Sequence, residues 1–219
     1  MLSVIIPACN EEQYIKETIE SIKKQNYKEY EIIVVCDGCT DKTPEIASKL
    51  ADKVVTLKTR SGPAIAKNKG VEISKGNKLV FLDADTHLGK EALSNISEVL
   101  DNDINTIGTC KIKPSSNKTK HKIMMFLKNY LISPLGVSNG IIFCTKKLYT
   151  KFNGFNNGLK KREDGDFIRR IKKQGNFIIL DNYVVSSTRR FDKKGYLSLW
   201  VYWLKEYIKP SDDHYEIIR

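Results

Sequence analysis

The apolar run Leu79-Val80-Phe81-Leu82 stops abruptly at Asp83-Ala84-Asp85. Such a run has the composition of a strand buried on both faces, as in a parallel sheet. Open α/β sheets hold their ligands at the carboxyl ends of strands. In extended backbone, residues two apart project to the same side, so both carboxylates can address one object. Two nearby anions disfavour each other unless a cation lies between them. A divalent metal carrying a phosphorylated ligand meets that condition, because hard cations take oxygen ligands and keep positions open for phosphate. A polar turn after a strand accounts for the same residues.

Three further groups could act with this one. Cys36-Asp37-Gly38-Cys39 follows a second apolar run. A carboxylate there accepts hydrogen bonds and donates none, so Asp37 suits the N–H edge of uracil or guanine, or else a turn before Gly38. Arg60 and Lys67 place cations near the same edge, for phosphate or base, with a solvated surface charge as the plain alternative. Glu163-Asp164-Gly165-Asp166 opens a helix. Acids are favoured in a first turn by the helix dipole, yet three in four positions exceed that need, and one of them suits a general base. Arg189 and Arg190 could clamp a diphosphate, since guanidinium forks match phosphate oxygens.

The elements that must position these groups alternate. Strands are expected at 3–6, 31–35, 53–57 and 78–82. Helices are expected from the Asn10 N-cap through 24, at 41–50 with Pro44 in the first turn, and at 63–74. This order argues an α/β fold with a mostly parallel central sheet flanked by helices. The second half reads as a helix at 89–100, a strand at 106–113, a polar basic loop at 115–122, an apolar stretch at 123–132 and a strand at 140–144. A turn at 152–155, a helix at 164–174, strands at 177–180 and 183–185, and a last amphipathic helix at 194–209 complete it. No linker rich in Pro, Gly or Ser interrupts the 219 residues, so one domain is expected, with a nucleotide-binding half at 1–113 and an acceptor-side half at 114–219.

The net charge of +11 suggests anionic partners. Five scattered cysteines do not form a disulfide framework and fit a reducing compartment. The chain opens directly into a strand without a basic leader, so no signal peptide is expected. The apolar stretch 196–204 falls short of the roughly 20 residues a spanning helix needs. A cytoplasmic location follows, with peripheral contact at the inner face of the membrane left open. Residues 115–136 and 196–209 mix lysines with apolar and aromatic side chains. Each could rest on an anionic membrane, pack on the core or pair in a dimer.

Taken in order, Ser3-Val4-Ile5-Ile6-Pro7-Ala8-Cys9-Asn10-Glu11-Glu12, Val35-Cys36-Asp37-Gly38-Cys39-Thr40-Asp41, Asp83-Ala84-Asp85 and Glu163-Asp164 resemble the signatures of family 2 glycosyltransferases. That resemblance implies the GT-A fold and inverting transfer of a sugar from a UDP- or GDP-sugar to an acceptor hydroxyl or lipid phosphate, such as a polyprenyl phosphate or glycolipid. It implies that Asp37 contacts the base and that Pro7, Asn10 and Glu12 line the nucleotide pocket. Asp83 and Ala84 would lie near the ribose, and Asp85, with Asp83, would bind Mn2+ or Mg2+. Asp164, beside Glu163, would be the base. Cys36 stands where the family often has an acid and Cys39 where it often has Ser. The late histidine that many members carry near the diphosphate is not evident, and the resemblance implies that Arg189 or Arg190 would stand in for it. A nucleotidyltransferase of the same fold would carry a basic Gly-rich loop where this chain has the acidic Asn10-Glu11-Glu12. A nucleic-acid-binding protein would concentrate its basic residues on one element, and none is expected as a partner. The Cys36-x-x-Cys39 pair, with Cys9, Cys110 or Cys144, would allow a thiolate metal site or redox chemistry only if further ligands converged.

Overall fold

The computed structural model describes residues 1–189 and 195, so the expectations for Arg190 and for a helix at 194–209 lie outside the described residues. The first half alternates as its sequence dictates: β1 (Leu2–Ala8), α1 (Ile15–Lys23), β2 (Tyr30–Asp37), α2 (Thr43–Leu50), β3 (Lys53–Leu57), α3 (Pro63–Glu72) and β4 (Lys78–Leu82). β1 runs parallel to β2 and β4, and β2 to β3. Successive strand residues point to opposite faces. Leu2, Val4, Ile6 and Ala8 of β1 therefore join Ile15, Ile19 and Ile22 of α1 in one core layer. Ile5, with Ile33 and Val35 of β2, joins Ala64 and Ala66 of α3 in the other. Both faces are covered, which is why these strands are continuous apolar runs rather than alternating ones.

The second half adds β5 (Thr86–Leu88), α4 (Ala92–Asn102), β6 (Thr106–Pro114), α5 (Thr119–Leu127), β7 (Ile141–Thr145), α6 (Lys146–Lys151), α7 (Glu163–Lys172) and β8 (Asn176–Ser186). All eight strands form one sheet in the order β3-β2-β1-β4-β7-β6-β8-β5. The sheet is mixed, which corrects the mostly parallel expectation: β7 runs against both β4 and β6, and β5 against β8. Beyond β4 only β6 and β8 pair in parallel, and β7 enters between β4 and β6 running against both.

Other departures have local causes. The strands expected at 177–180 and 183–185 are one strand, in which Asp181 and Asn182 form a bulge opposite the Cys110–Lys111 step of β6. The loop expected at 115–122 is half helix, because α5 begins at Thr119 and runs on through a π-helical turn (Lys128–Ile132) and a 3-10 turn (Ser133–Leu135). β5 and α6 are too short for periodicity to reveal. Asn10 does not cap α1; it has a left-handed φ of 58° and belongs to the loop before the helix.

At the amino-terminal edge of the sheet, Glu31 accepts hydrogen bonds from Ser3 Oγ (2.7 Å), Lys53 Nζ (2.8 Å) and the Lys75 amide. Burial raises its carboxyl pKa, but these donors outweigh burial and lower it to about 2. An unfolded Glu titrates at about 4.3. The stabilisation is therefore complete above that value and is lost as pH falls toward 2. Glu31→Gln should cost about 3 kcal/mol at pH 7 and flatten the acid limb of stability between pH 5 and 2, as read from urea melts across pH.

Candidate active site

Because β1, β2 and β4 are parallel, their carboxyl ends open on one edge, and the loops there are laced to one another. Pro7 lies beyond the last β1–β4 pair, Ile5 with Phe81, where β4 no longer requires a backbone donor. Asn10 Oδ1 accepts from the Thr40 amide (2.7 Å), and Glu12 Oε2 from the Lys42 amide (3.0 Å). Asp37, at the end of β2, is 4% exposed. Its two oxygens accept from the Ser61 amide (2.6 Å) and the Gly62 amide (2.8 Å), which fixes the loop that opens α3. A carboxylate keeps further lone pairs for a ligand N–H. Gly38 permits this packing: its φ is 62°, and a Cβ there would lie 2.5 Å from the Arg60 backbone nitrogen. Arg60 lies near enough to Cys9 to counter part of the pKa rise that burial imposes on that thiol.

Asp83-Ala84-Asp85 is not extended. The Thr86 amide donates to the Asp83 carbonyl (3.0 Å), closing a turn. The acids owe their common edge to this turn rather than to strand alternation. Ala84 packs in the core, and its carbonyl accepts from Thr18 Oγ1 (2.7 Å), so its side chain faces away from the edge. The Asp83 amide donates to the Gly140 carbonyl (2.9 Å). Gly140 has a φ of 81°, and a Cβ there would come within 2.7 Å of Thr86 Oγ1. Asp85 Oδ2 lies 3.1 Å from Arg189 Nη2, and the same guanidinium grips Glu11 through two bonds of 2.9 and 2.7 Å. Tyr14 stacks against it, 4.7 Å from ring centroid to guanidinium carbon.

The centre of the edge is Lys67. It is 2% exposed and donates to Glu163 Oε1 (2.8 Å) and to Asp164 Oδ1. The solvated surface charge that a lone lysine suggests is thus replaced by a buried cation. Burial pushes its pKa down, but the carboxylates of Asp164, Glu163 and Asp83 overcome that and hold it above the ordinary lysine value. Burial, reinforced by Asp164, raises the Glu163 carboxyl despite Lys67. Asp164 Oδ2 accepts from Ser138 Oγ (2.8 Å). Glu11 and Ser138 are partners to which sequence reasoning assigned no role. Glu11 stood inside a quoted motif, whereas Ser138 carries no sequence signal. Among the described residues, no group of three or more His, Cys, Asp or Glu side chains is arranged to hold a metal ion. Asp85 is paired with Arg189, so a hard cation here would be held by one or two carboxylates and completed by substrate phosphates, as Mg2+ sites often are.

A mixed α/β sheet with acids on the carboxyl edge of its parallel strands matches the GT-A transferases among solved structures. The S. aureus TarS 1–349 crystal structure superposes with a TM-score of 0.69 at 26% identity, over 87% of this chain and 61% of that one. A Pyrobaculum calidifontis mannosyltransferase solved with GDP-Man and Mn2+ shares the fold, with a TM-score of 0.71 at 19% identity, over 93% of this chain and 64% of that one. Residues 3–162 match Glycosyl transferase family 2, and the chain belongs to that family. Among curated relatives, the S. aureus poly(ribitol-phosphate) beta-N-acetylglucosaminyltransferase TarS is 27% identical across 99% of this chain. A Bacillus spizizenii poly(ribitol-phosphate) beta-glucosyltransferase is 35% identical over 50% of it. This chain spans 39% of the length of TarS and 19% of the second enzyme.

Removing the buried ammonium should show its weight. Lys67→Met strands two neighbouring carboxylates and should lower stability by about 3–5 kcal/mol. Adding Glu163→Gln should recover part of the loss, read as a coupling energy in a denaturation double-mutant cycle.

Proposed function

We propose that this chain moves a hexosyl group from a UDP- or GDP-sugar to an acceptor hydroxyl or lipid phosphate, with inversion at the anomeric carbon and with help from a divalent cation. The observation that carries the reading is Lys67 binding Glu163 and Asp164 of α7 at an edge that also presents Asp37, Asp83 and Asp85. TarS crystallised with UDP-GlcNAc, and the mannosyltransferase crystallised with GDP-Man and Mn2+, support the donor class and the cation.

In this reading Asp37 receives an N–H of the base, while Pro7, Asn10, Glu12 and Arg60 line the nucleotide. Asp85, with Asp83, would hold Mn2+ or Mg2+, which when bound neutralises charge developing on the departing diphosphate. Arg189, which faces Asp85 and Glu11, would turn its fork to that diphosphate. Asp164 takes the acceptor proton as the acceptor oxygen attacks, steadied by Ser138 and Lys67. One displacement from the face opposite the leaving group inverts the sugar carbon. The donor half is 1–113 and the acceptor side begins at 114. Five free thiols support a reducing, cytoplasmic setting.

A thermal-shift panel of UDP- and GDP-sugars, with and without Mn2+, should give a rise in Tm with one nucleotide and a larger rise with metal. Asp85→Ala should lose the metal-dependent increment. Asp164→Asn should keep the donor shift while transfer falls about 10²–10⁴-fold, and near-wild-type transfer by that variant would remove Asp164 from the base role. NMR of the first-formed product should show the opposite anomeric configuration to the donor; retention would sink the single-displacement mechanism.

A further inference from the structure

Among the described residues, α5 and the turns that prolong it have one face packed on the fold and one exposed. On the inner side His121, Met124, Met125, Asn129 and Ser133 are buried. The Asn129 side chain pairs with both backbone groups of Ile112 on β6, at 2.8 and 2.9 Å, which fixes the helix against the sheet. On the outer side Ile123, Phe126, Tyr130, Leu131 and Leu135 are each 47–59% exposed. Their spacing follows a single helical face, and the rings of Phe126 and Tyr130 lie 4.6 Å apart. These are five of the seven exposed large hydrophobic residues among those described, so the exposure is a patch rather than scatter.

The stretch of chain that carries this patch is one-sided in charge, and the carboxylate that meets it from another strand, Asp181 of β8, is paired (2.6 Å) with Lys111 beside Tyr130. Residues 104–162 contain twelve Lys and Arg and no Asp or Glu, in a chain with 26 acids. Lys120 and Lys122 are exposed on α5 itself, and Lys113 on the adjoining strand. An occupant must accept apolar and aromatic side chains and also carry negative charge. A bilayer with acidic headgroups does both. A soluble polyanion would satisfy the lysines and give nothing to Phe126, Leu131 or Leu135. A second copy would set like charges against each other.

We infer that residues 119–135 form an interfacial helix that docks the enzyme on an anionic membrane surface. The segment runs on from Leu135 to Ser138, whose hydroxyl donates to Asp164, so the docked face is joined to the acceptor side of the site. The inference does not depend on the donor or metal assignments.

Co-sedimentation of the full chain with phosphatidylcholine vesicles, with and without about one third phosphatidylglycerol, tests it. The protein should pellet with anionic vesicles, about tenfold more tightly than with neutral ones, and less so at high salt. Phe126→Ser/Leu131→Ser and, separately, Lys120→Glu/Lys122→Glu should each weaken binding about tenfold without lowering Tm. Three results would overturn the inference. One is equal binding to both vesicle types, or to neither. Another is binding insensitive to the apolar pair, with polyphosphate competing for the protein equally well. The third is a dimer in sedimentation velocity that Phe126→Ser/Leu131→Ser dissociates.

Discussion

A single buried ammonium, that of Lys67, joins the two halves of the molecule. It projects from α3, in the strand–helix repeat of the first half, onto Glu163 and Asp164 at the start of α7 in the second. Neither side is tolerable alone. A buried cation without anions, or buried carboxylates without a cation, carries a large desolvation cost. The position of α7 is therefore set by charge as well as by packing. Below the ion cluster, Phe155 packs against Phe81 and Phe167, with ring centroids 4.8 and 4.7 Å away, and Lys67 Nζ stands 5.2 Å from the Phe155 ring. That apolar floor lowers the local dielectric and strengthens each electrostatic contact above it.

The rest of the edge is held by similar exchanges at smaller scale. Asp37 accepts two amides from the loop before α3, Asn10 reaches the loop after β2, and Arg189 spans Glu11 and Asp85. Loops placed at strand ends would otherwise have many conformations. Here each is held by a side chain from another segment. A site built this way is organised before a ligand arrives, which lowers the ordering cost of binding. The candidate site and the exposed apolar face of α5 share a chain segment, since the 3-10 turn Ser133–Leu135 leads directly to Ser138 beside Asp164.

Much of this was legible in residue order. The runs at 4–6, 32–35 and 79–82 are buried strands, as two-sided burial of unbroken apolar stretches implies, and their carboxyl ends lead into three of the four family signatures, the fourth opening α7. Other features were not legible. Alternation predicted that Asp83 and Asp85 would share a side through extended backbone, whereas a turn governs them. Lys67 read as a cation for phosphate or base, or else as a solvated surface charge, because nothing near it in sequence reveals anions 96 and 97 positions away. Ser138 and Glu11 gained partners the same way.

The sequence by itself determined the local half of the protein: the period of its hydrophobic residues, the α/β order, the family signatures and the residue types available for chemistry. These depend on neighbours a few positions apart, which periodicity records. Tertiary structure alone decided that the sheet is mixed, that β8 is one bulged strand, that Lys67 is a buried counterion and that, among the described residues, α5 exposes an aromatic face with basic neighbours. Each of those depends on which distant segments meet, and the desolvation and packing energies that choose among such meetings leave no periodic trace along the chain.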